Sequence, residues 1–243
     1  WLHPMLGAIA TDGIGGVCPL VVFRDKTDVL NAAGGSCDPL ALAWRRGMGE
    51  SRDSKISGPF FWLPGCCFAI RKNVFNQIGG FDESLFLFLE DVDLSWRMRL
   101  AGWDLHFVPE SVVLHKYMAS TSELHPSDIQ YLFNRNRPRL ILKNYSSKSL
   151  ARIIPIYTVL QLGLMIWILM RRRSWELRAL LAAWLWNLRN LSGSIIARLQ
   201  VQALRVRKDS ELLQYMYRGI AGVHLAIGTM KHPVFEAYFE STE

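Results

Sequence analysis

The chain is poor in the residues that announce several common classes. It has four cysteines in 243 residues, Cys18, Cys37, Cys66 and Cys67, and no CxxC pair. That spacing excludes a zinc ribbon and a thioredoxin-like redox centre, and adjacent cysteines rarely bridge each other. They read as reduced thiols of a cytosolic environment, with Cys66 and Cys67 in a strand. No internal repeat and no low-complexity tract is present. The opening WLHPMLGAIATDG has neither an initiator Met nor a basic leader with a cleavage-site pattern, so it is not a signal peptide and reads as the middle of a longer protein. No motif of an RNA- or DNA-binding module accompanies the net charge of +7.

That charge is uneven. Residues 1–150 hold 16 Lys/Arg against 15 Asp/Glu, whereas 151–243 hold 12 against 6. The basic residues of the second part are interleaved with Leu, Ile and Trp, which favours an anionic membrane surface over nucleic acid. Charge is missing altogether from Ile153 to Met170. As a helix these 18 residues are about 27 Å long, barely the hydrocarbon thickness of a bilayer, and Pro155, Gln161 and Gly163 interrupt them. Arg152 precedes the run and Arg171 to Arg173 follow it, so the flanks give no orientation. Residues 177–188 suit an interfacial helix. Residues 194–208 read as a basic amphipathic helix with Ile195, Ile196, Leu199, Ala203 and Val206 on one side. A helical subdomain packed on a core is the alternative.

The first part reads as an α/β domain over 1–150, followed by a helical, hydrophobic and basic region over 151–243. A short helix is expected over 1–12 and strands over 15–23 and 28–35. A mobile loop is expected over 45–58, a buried strand over 59–70 broken at Pro64-Gly65, and a helix from 72 to 78 ended by Gly79-Gly80. Two short strands, WDLHFVP and SVVLH, precede a long helix from about 127 to 143.

The informative stretch is GGFDESLFLFLEDVDLSWRMRLAGW, residues 79–103. The apolar run Leu85 to Leu89 reads as a buried strand, and it ends in Glu90, Asp91 and Asp93. Carboxylates there stand at a sheet's C-terminal edge, where α/β proteins place ligand sites. Asp91 and Asp93 could bind a metal as a DxD. Glu90 and Asp91 could be the acid and base of a glycoside hydrolase. One carboxylate could deprotonate an acceptor hydroxyl. Acids also simply favour helix starts, and here a helix begins at Asp91 or Asp93, with Leu94, Met98 and Ala101 on one face and Gly102 at its end.

The ordered set GGFDE, EDVDLSWR, AGW, VP and LHK, over residues 1–145, resembles the second half of the catalytic domain of family-2 glycosyltransferases, above all rhamnosyltransferase-like members that build bacterial cell-surface polysaccharide. The resemblance implies a partial GT-A fold with a mixed sheet. It implies inverting transfer from a nucleotide-sugar donor to a glycan or lipid-linked acceptor, at the cytoplasmic face of the cell membrane. It makes Asp91 the catalytic base and Glu90 its partner in an ED motif, and Asp93 a helix-start residue. His115 becomes a ligand of a divalent metal, Mn²⁺ or Mg²⁺. Gly79, Gly80, Phe81, Asp82 and Glu83 become the loop that shapes the acceptor pocket, and Arg135 a phosphate ligand. Trp62 and Trp103 are expected in the core, and His3, His106, His125, His224 and His232 carry no role. The donor-binding half with its DxD acids is expected ahead of Trp1. A non-catalytic, membrane-associated scaffold of the same fold is the competing expectation.

Overall fold

The computed structural model describes residues 1–226 apart from 57, 120 and 121. The stretch from 227 onward, with His232, lies outside the described residues. A four-stranded mixed sheet is built around β1 (Ile14–Phe23). The eight residues between the ends of β1 are all buried, which is why it reads as an almost unbroken apolar run. Antiparallel β2 (Lys26–Ala32) pairs with its end. β3 (Gly35–Cys37) and β4 (Ala43–Arg45) form a separate ribbon. β5 (Ala69–Ile70) pairs antiparallel with the start of β1, and β6 (Asp104–His115) runs parallel along its whole length. The last strand is continuous rather than two. Its register against β1 slips twice, between Ile14 and Gly16 and between Pro19 and Leu20, and the second bulge absorbs Pro109, which cannot donate to a ladder.

The helices cover this sheet. In α1 (Leu2–Ala10), Met5 meets Val17 and Val108. α2 (Lys72–Gln77) is closed by Gly79 and Gly80, at φ 80° and 68°. α3 (Glu90–Leu100) buries Leu94, Met98 and Ala101 together, as their spacing predicts. α4 (Pro126–Asn144) follows, then α5 (Ser147–Met170), α6 (Ser174–Arg189) and α7 (Leu191–Ala203). The largest apolar cluster joins α3, α4 and the later helices through Phe61, Trp96, Tyr145, Leu150, Val201 and Met216. Trp96 stands at its centre, edge-on to Phe61 and Tyr145 with ring centroids 5.3 and 4.9 Å away. Such aromatic pairs add about 0.5–1.5 kcal/mol each beyond the area they bury. Packing therefore runs without a break across residue 150, where the composition changes.

Four local expectations need correction. Residues 85–89 are not a strand. A 3₁₀ turn over Glu83–Leu85 is followed by Phe86, Phe88 and Leu89 in left-handed conformations, and Phe86 is 79% exposed. Residues 59–70 give only the two-residue β5 and an isolated bridge at Trp62, so Cys66 and Cys67 lie in a turn; among the described residues all four cysteines are free thiols. Within the expected loop, residues 49–52 are laid along β2 by backbone bonds between Leu30 and Glu50, Gly49 and Leu30, and Arg52 and Asp28. The helix expected over 194–208 ends at Ala203.

α4 is the unusual element. Its buried residues include Gln130, Asn134, Arg135, Asn136, Arg139, Lys143 and Asn144. A helix polar on its buried side must spend those groups on partners, since an unpaired buried polar group costs about 1–3 kcal/mol. Those partners are the loop before α3 and two carboxylates.

Candidate active site

The strained loop over 86–89 is fixed from α4. Asn136 Nδ2 donates to the carbonyls of Leu85, Leu87 and Phe88 at 3.0, 2.9 and 2.7 Å. Arg135 Nη2 donates to Ser84 and Leu85 carbonyls at 3.1 and 2.6 Å, and its guanidinium lies 4.7 Å from the Trp186 ring. Phe88 stacks on Phe133 at 4.5 Å. Left-handed non-glycine residues cost on the order of 1–2 kcal/mol each and persist only where surroundings dictate them. The product is an abrupt helix start that presents Glu90 and Asp91 at the N-terminus of α3.

Asp91 is partly buried, and both of its oxygens are engaged. Oδ1 accepts from the Val92 N–H and Oδ2 from the Gly65 N–H, each at 2.8 Å. The second bond crosses from the turn over 64–67. The approach is close: a Cβ on Gly65 would lie 3.1 Å from Asp91 Oδ2, so a larger residue would force the turn or the carboxylate to shift slightly. Burial pushes the Asp91 carboxyl above its usual range, and the two N–H groups and the charge of Arg45 offset part of that rise. Glu90 is pushed up to about 7 by burial and then by the Asp91 charge, and its Oε2 is buried without a hydrogen-bond partner.

Arg45, at the end of β4, was missed by sequence reasoning. Its guanidinium lies 4.8 Å over the Tyr117 ring, and its charge reaches Asp91, Cys66 and His115. Tyr117 lies just past β6, so Arg45 stands beside the end of that strand. His115 Nδ1 is 3.1 Å from Oδ1 of Asn31, whose side chain is fully buried. With the Asn31 amide oxygen as acceptor, Nδ1 would carry the hydrogen and Nε2 would present its lone pair. Burial, then Arg45, lowers the His115 pKa and keeps the ring neutral. Neutral imidazole is the form that binds metal. One such ligand does not make a divalent site, however, and among the described residues no three His, Cys, Asp or Glu side chains converge on one.

The remaining candidates lie elsewhere. Gly79 and Gly80 cap α2, and Phe81 packs edge-on against Phe68 and Phe75. Asp82 is gripped by Arg139 at 2.9 Å and Lys143 at 2.6 Å. Burial raises its pKa, but the two cations outweigh burial and hold it well below the carboxylate range. Phe81, Asp82 and Glu83 line a cleft of about 630 Å³ shared with Arg97 and α7; neither Glu90 nor Asp91 lines it. Arg135 is spent on carbonyl oxygens of the 84–85 turn. Asp93 does more than start a helix: it is fully buried and paired with Arg97 and Lys143 at 2.8 Å each, with Asn144 at 3.0 Å. That excludes a shared metal across residues 91–93. The tryptophans behave as expected of core residues, Trp62 buried and Trp103 partly so.

Residues 39–138 match the family model described as "Glycosyltransferase like family 2", and that span holds Glu90, Asp91, His115 and Arg135. That span of this chain is similar to family-2 glycosyltransferases. Among curated relatives, N-acetylglucosaminyl-diphospho-decaprenol L-rhamnosyltransferase of Mycobacterium tuberculosis is 41% identical over 78 residues, 32% of this chain and 25% of the relative. Rhamnosyltransferase WbbL of Escherichia coli is 39% identical over 54 residues, 22% and 20% of the two chains. Human polypeptide N-acetylgalactosaminyltransferase 13 is 28% identical over 152 residues, 58% and 27%. The chain thus spans about a quarter of the length of the curated relatives it matches. The matched span begins just before β4 and takes in Arg45, the Gly65 turn, the acid pair, β6 and most of α4.

Proposed function

We propose that this chain supplies the general base of an inverting glycosyltransferase of the GT-A type. The acceptor hydroxyl gives its proton to Asp91 while its oxygen attacks C1 of the sugar from the face opposite the leaving group. The new C1–O bond forms as the bond to the nucleoside diphosphate breaks, and the electron pair leaves with the diphosphate. The observation that carries this reading is the Asp91 carboxylate itself. It is fixed from a separate turn by Gly65 and made more basic by burial, while the Arg45 charge favours its ionised form. Glu90 contributes by staying protonated up to about pH 7, which spares Asp91 a second negative charge at its side.

The donor is a nucleotide-activated hexose or deoxyhexose and the acceptor a glycan or lipid-linked sugar, in keeping with the rhamnosyltransferase names of two relatives. A metal would receive at most one bond here, from His115 Nε2, and would bring Lewis-acid stabilisation of the diphosphate. No step above passes through it. The helices beyond residue 147 hold the protein at the cytoplasmic face of the membrane, where a lipid-borne acceptor is concentrated.

The test is Asp91→Asn in the full-length protein, assayed with a radiolabelled nucleotide sugar and isolated membranes. Transfer should fall at least a hundredfold with far-UV circular dichroism unchanged. Turnover within a factor of a few of the unmodified protein would remove Asp91 as the base.

A further inference from the structure

The helices after residue 147 are apolar on the wrong side for a protein that meets only water. At about 100° per residue, Leu150, Tyr157, Gln161 and Ile168 of α5 fall within about 20° of one line, and this is the stripe turned to the protein. The exposed Val159, Leu162, Ile166 and Leu169 lie on the opposite side. α6 repeats the pattern. Glu176, Ala179, Leu180 and Ala183 are buried, Asn187 bonds the Arg135 carbonyl at 2.9 Å, and Leu181, Leu185 and Leu188 face outward. So does α7, whose Ser194 and Val201 face inward and whose Ile195, Ile196 and Leu199 face outward. In a water-exposed helix the outer face is the polar one.

Charge complements this surface. Residues 147–226 carry twelve Lys or Arg against three Asp or Glu, and Arg152, Arg171, Arg172, Arg178 and Arg189 are exposed. We infer that the outer faces of α5, α6 and α7 dock in the plane of an anionic lipid bilayer, without α5 crossing it. The inference rests on the membrane reading above and fixes its geometry. α5 is long enough to cross, at 24 residues and only slightly buried, so length does not decide. Attachment does. Leu150 belongs to the main apolar cluster with Ile153 and Tyr157 against it, and the Arg137 guanidinium sits 5.6 Å from the Tyr157 ring. α6 packs along α5 and α4, joined to α5 by a turn in which Arg173 pairs with Glu176 at 3.0 Å. Upright insertion of α5 would strip these contacts or draw α6 and the polar α4 into hydrocarbon. Lying flat, the outer leucines enter the lipid and the long arginines reach the headgroups.

The test is expression of the full chain carrying Lys148→Cys, at the start of α5, or Ser174→Cys, just past its end at the start of α6. Inverted membrane vesicles and spheroplasts are treated with an impermeant maleimide, and labelled peptides are read by mass spectrometry. Docking in plane predicts that both positions label in inverted vesicles and neither in spheroplasts. Labelling of one position from each side would establish a crossing helix and overturn the inference while leaving membrane association intact. Recovery in the soluble fraction, alone or as a dimer covering these faces, would overturn both. Purified chain should also bind phosphatidylcholine vesicles containing phosphatidylglycerol roughly a hundredfold less well once Arg171, Arg172 and Arg173 are all changed to Gln. Equal binding to pure phosphatidylcholine would end the role given to charge.

Discussion

Asp91 and Asp93 stand two residues apart in α3 and live in opposite environments. Two residues are about 200° of helix, so the side chains leave in nearly opposite directions. Asp93 enters a buried network in which it and Asp82 face Arg97, Arg139 and Lys143. Asp91 keeps two backbone donors, one neighbouring acid and a partly open face. The difference teaches that side-chain direction divides one acidic run between two environments; on the function proposed above, one serves structure and the other chemistry. Exchanging the two defects should break the comparison most sharply. Asp91→Asn should lower transfer about 10²- to 10⁴-fold while leaving the urea unfolding midpoint close to that of the unmodified protein. Asp93→Asn should lose about 3–5 kcal/mol in urea unfolding, because it leaves Lys143 and Arg97 buried with less than their share of negative charge. If both variants lose activity and stability together, the division of roles is wrong.

The next effect tests how the two environments are kept apart. Asn136 closes the loop that aims Glu90 and Asp91, through three carbonyls at once. Asn136→Ala should cost about 1–3 kcal/mol and lower kcat about tenfold, with the Asp93 network still formed. A stability loss without a loss of rate would mean that the loop does not position the acids.

These long-range ties explain what could be read beforehand. α2, α3 and α4 declare themselves through local signals: Gly79-Gly80, the Leu94–Met98–Ala101 face, and Pro126-Ser127-Asp128. β1 does so by its apolar run. The Leu85–Leu89 run misleads because its left-handed residues are imposed by Asn136 and Arg135, about fifty positions later in the chain. Arg45 was invisible for the same reason. It lies in a polar stretch, and nothing nearby in sequence announces that it faces Asp91 and His115. The acid pair stood out in the sequence as a candidate site, whereas Asp82 and Asp93, equally acidic and close by, gave no sign of their buried cations.

A smaller effect separates the acids by pH. The folded state holds Glu90 at about 7, above its ordinary 4.5, so it binds more protons than the unfolded chain between those values. Stability from Glu90 is complete below the lower pH and is lost as pH rises through about 7. Asp82 and Asp93 behave oppositely: their depressed pKa values stabilise the fold above the ordinary carboxylate range, and that contribution disappears on acidification. Urea midpoints measured across pH should therefore peak between the two limbs. Glu90→Gln should flatten only the upper limb, by on the order of 1 kcal/mol. An upper limb unchanged by that substitution would assign it to another group.

The smallest effect isolates the contact that only Asp91 has. Gly65→Ala places a methyl 3.1 Å from Asp91 Oδ2 and touches nothing in the Asp93 network. Either the turn over 64–67 or the carboxylate must yield by a few tenths of an ångström, which lengthens the Gly65 N–H bond. Stability should change by less than about 1 kcal/mol, since the site is partly open and the turn can shift. The pH–rate profile should respond more than stability does. Weakening a bond to the ionised carboxylate raises the Asp91 pKa, so the acidic limb of kcat/KM should move to higher pH. An unmoved limb with normal activity would show that the Gly65 bond positions nothing. The Asp91 carboxylate would then owe its place to α3 alone.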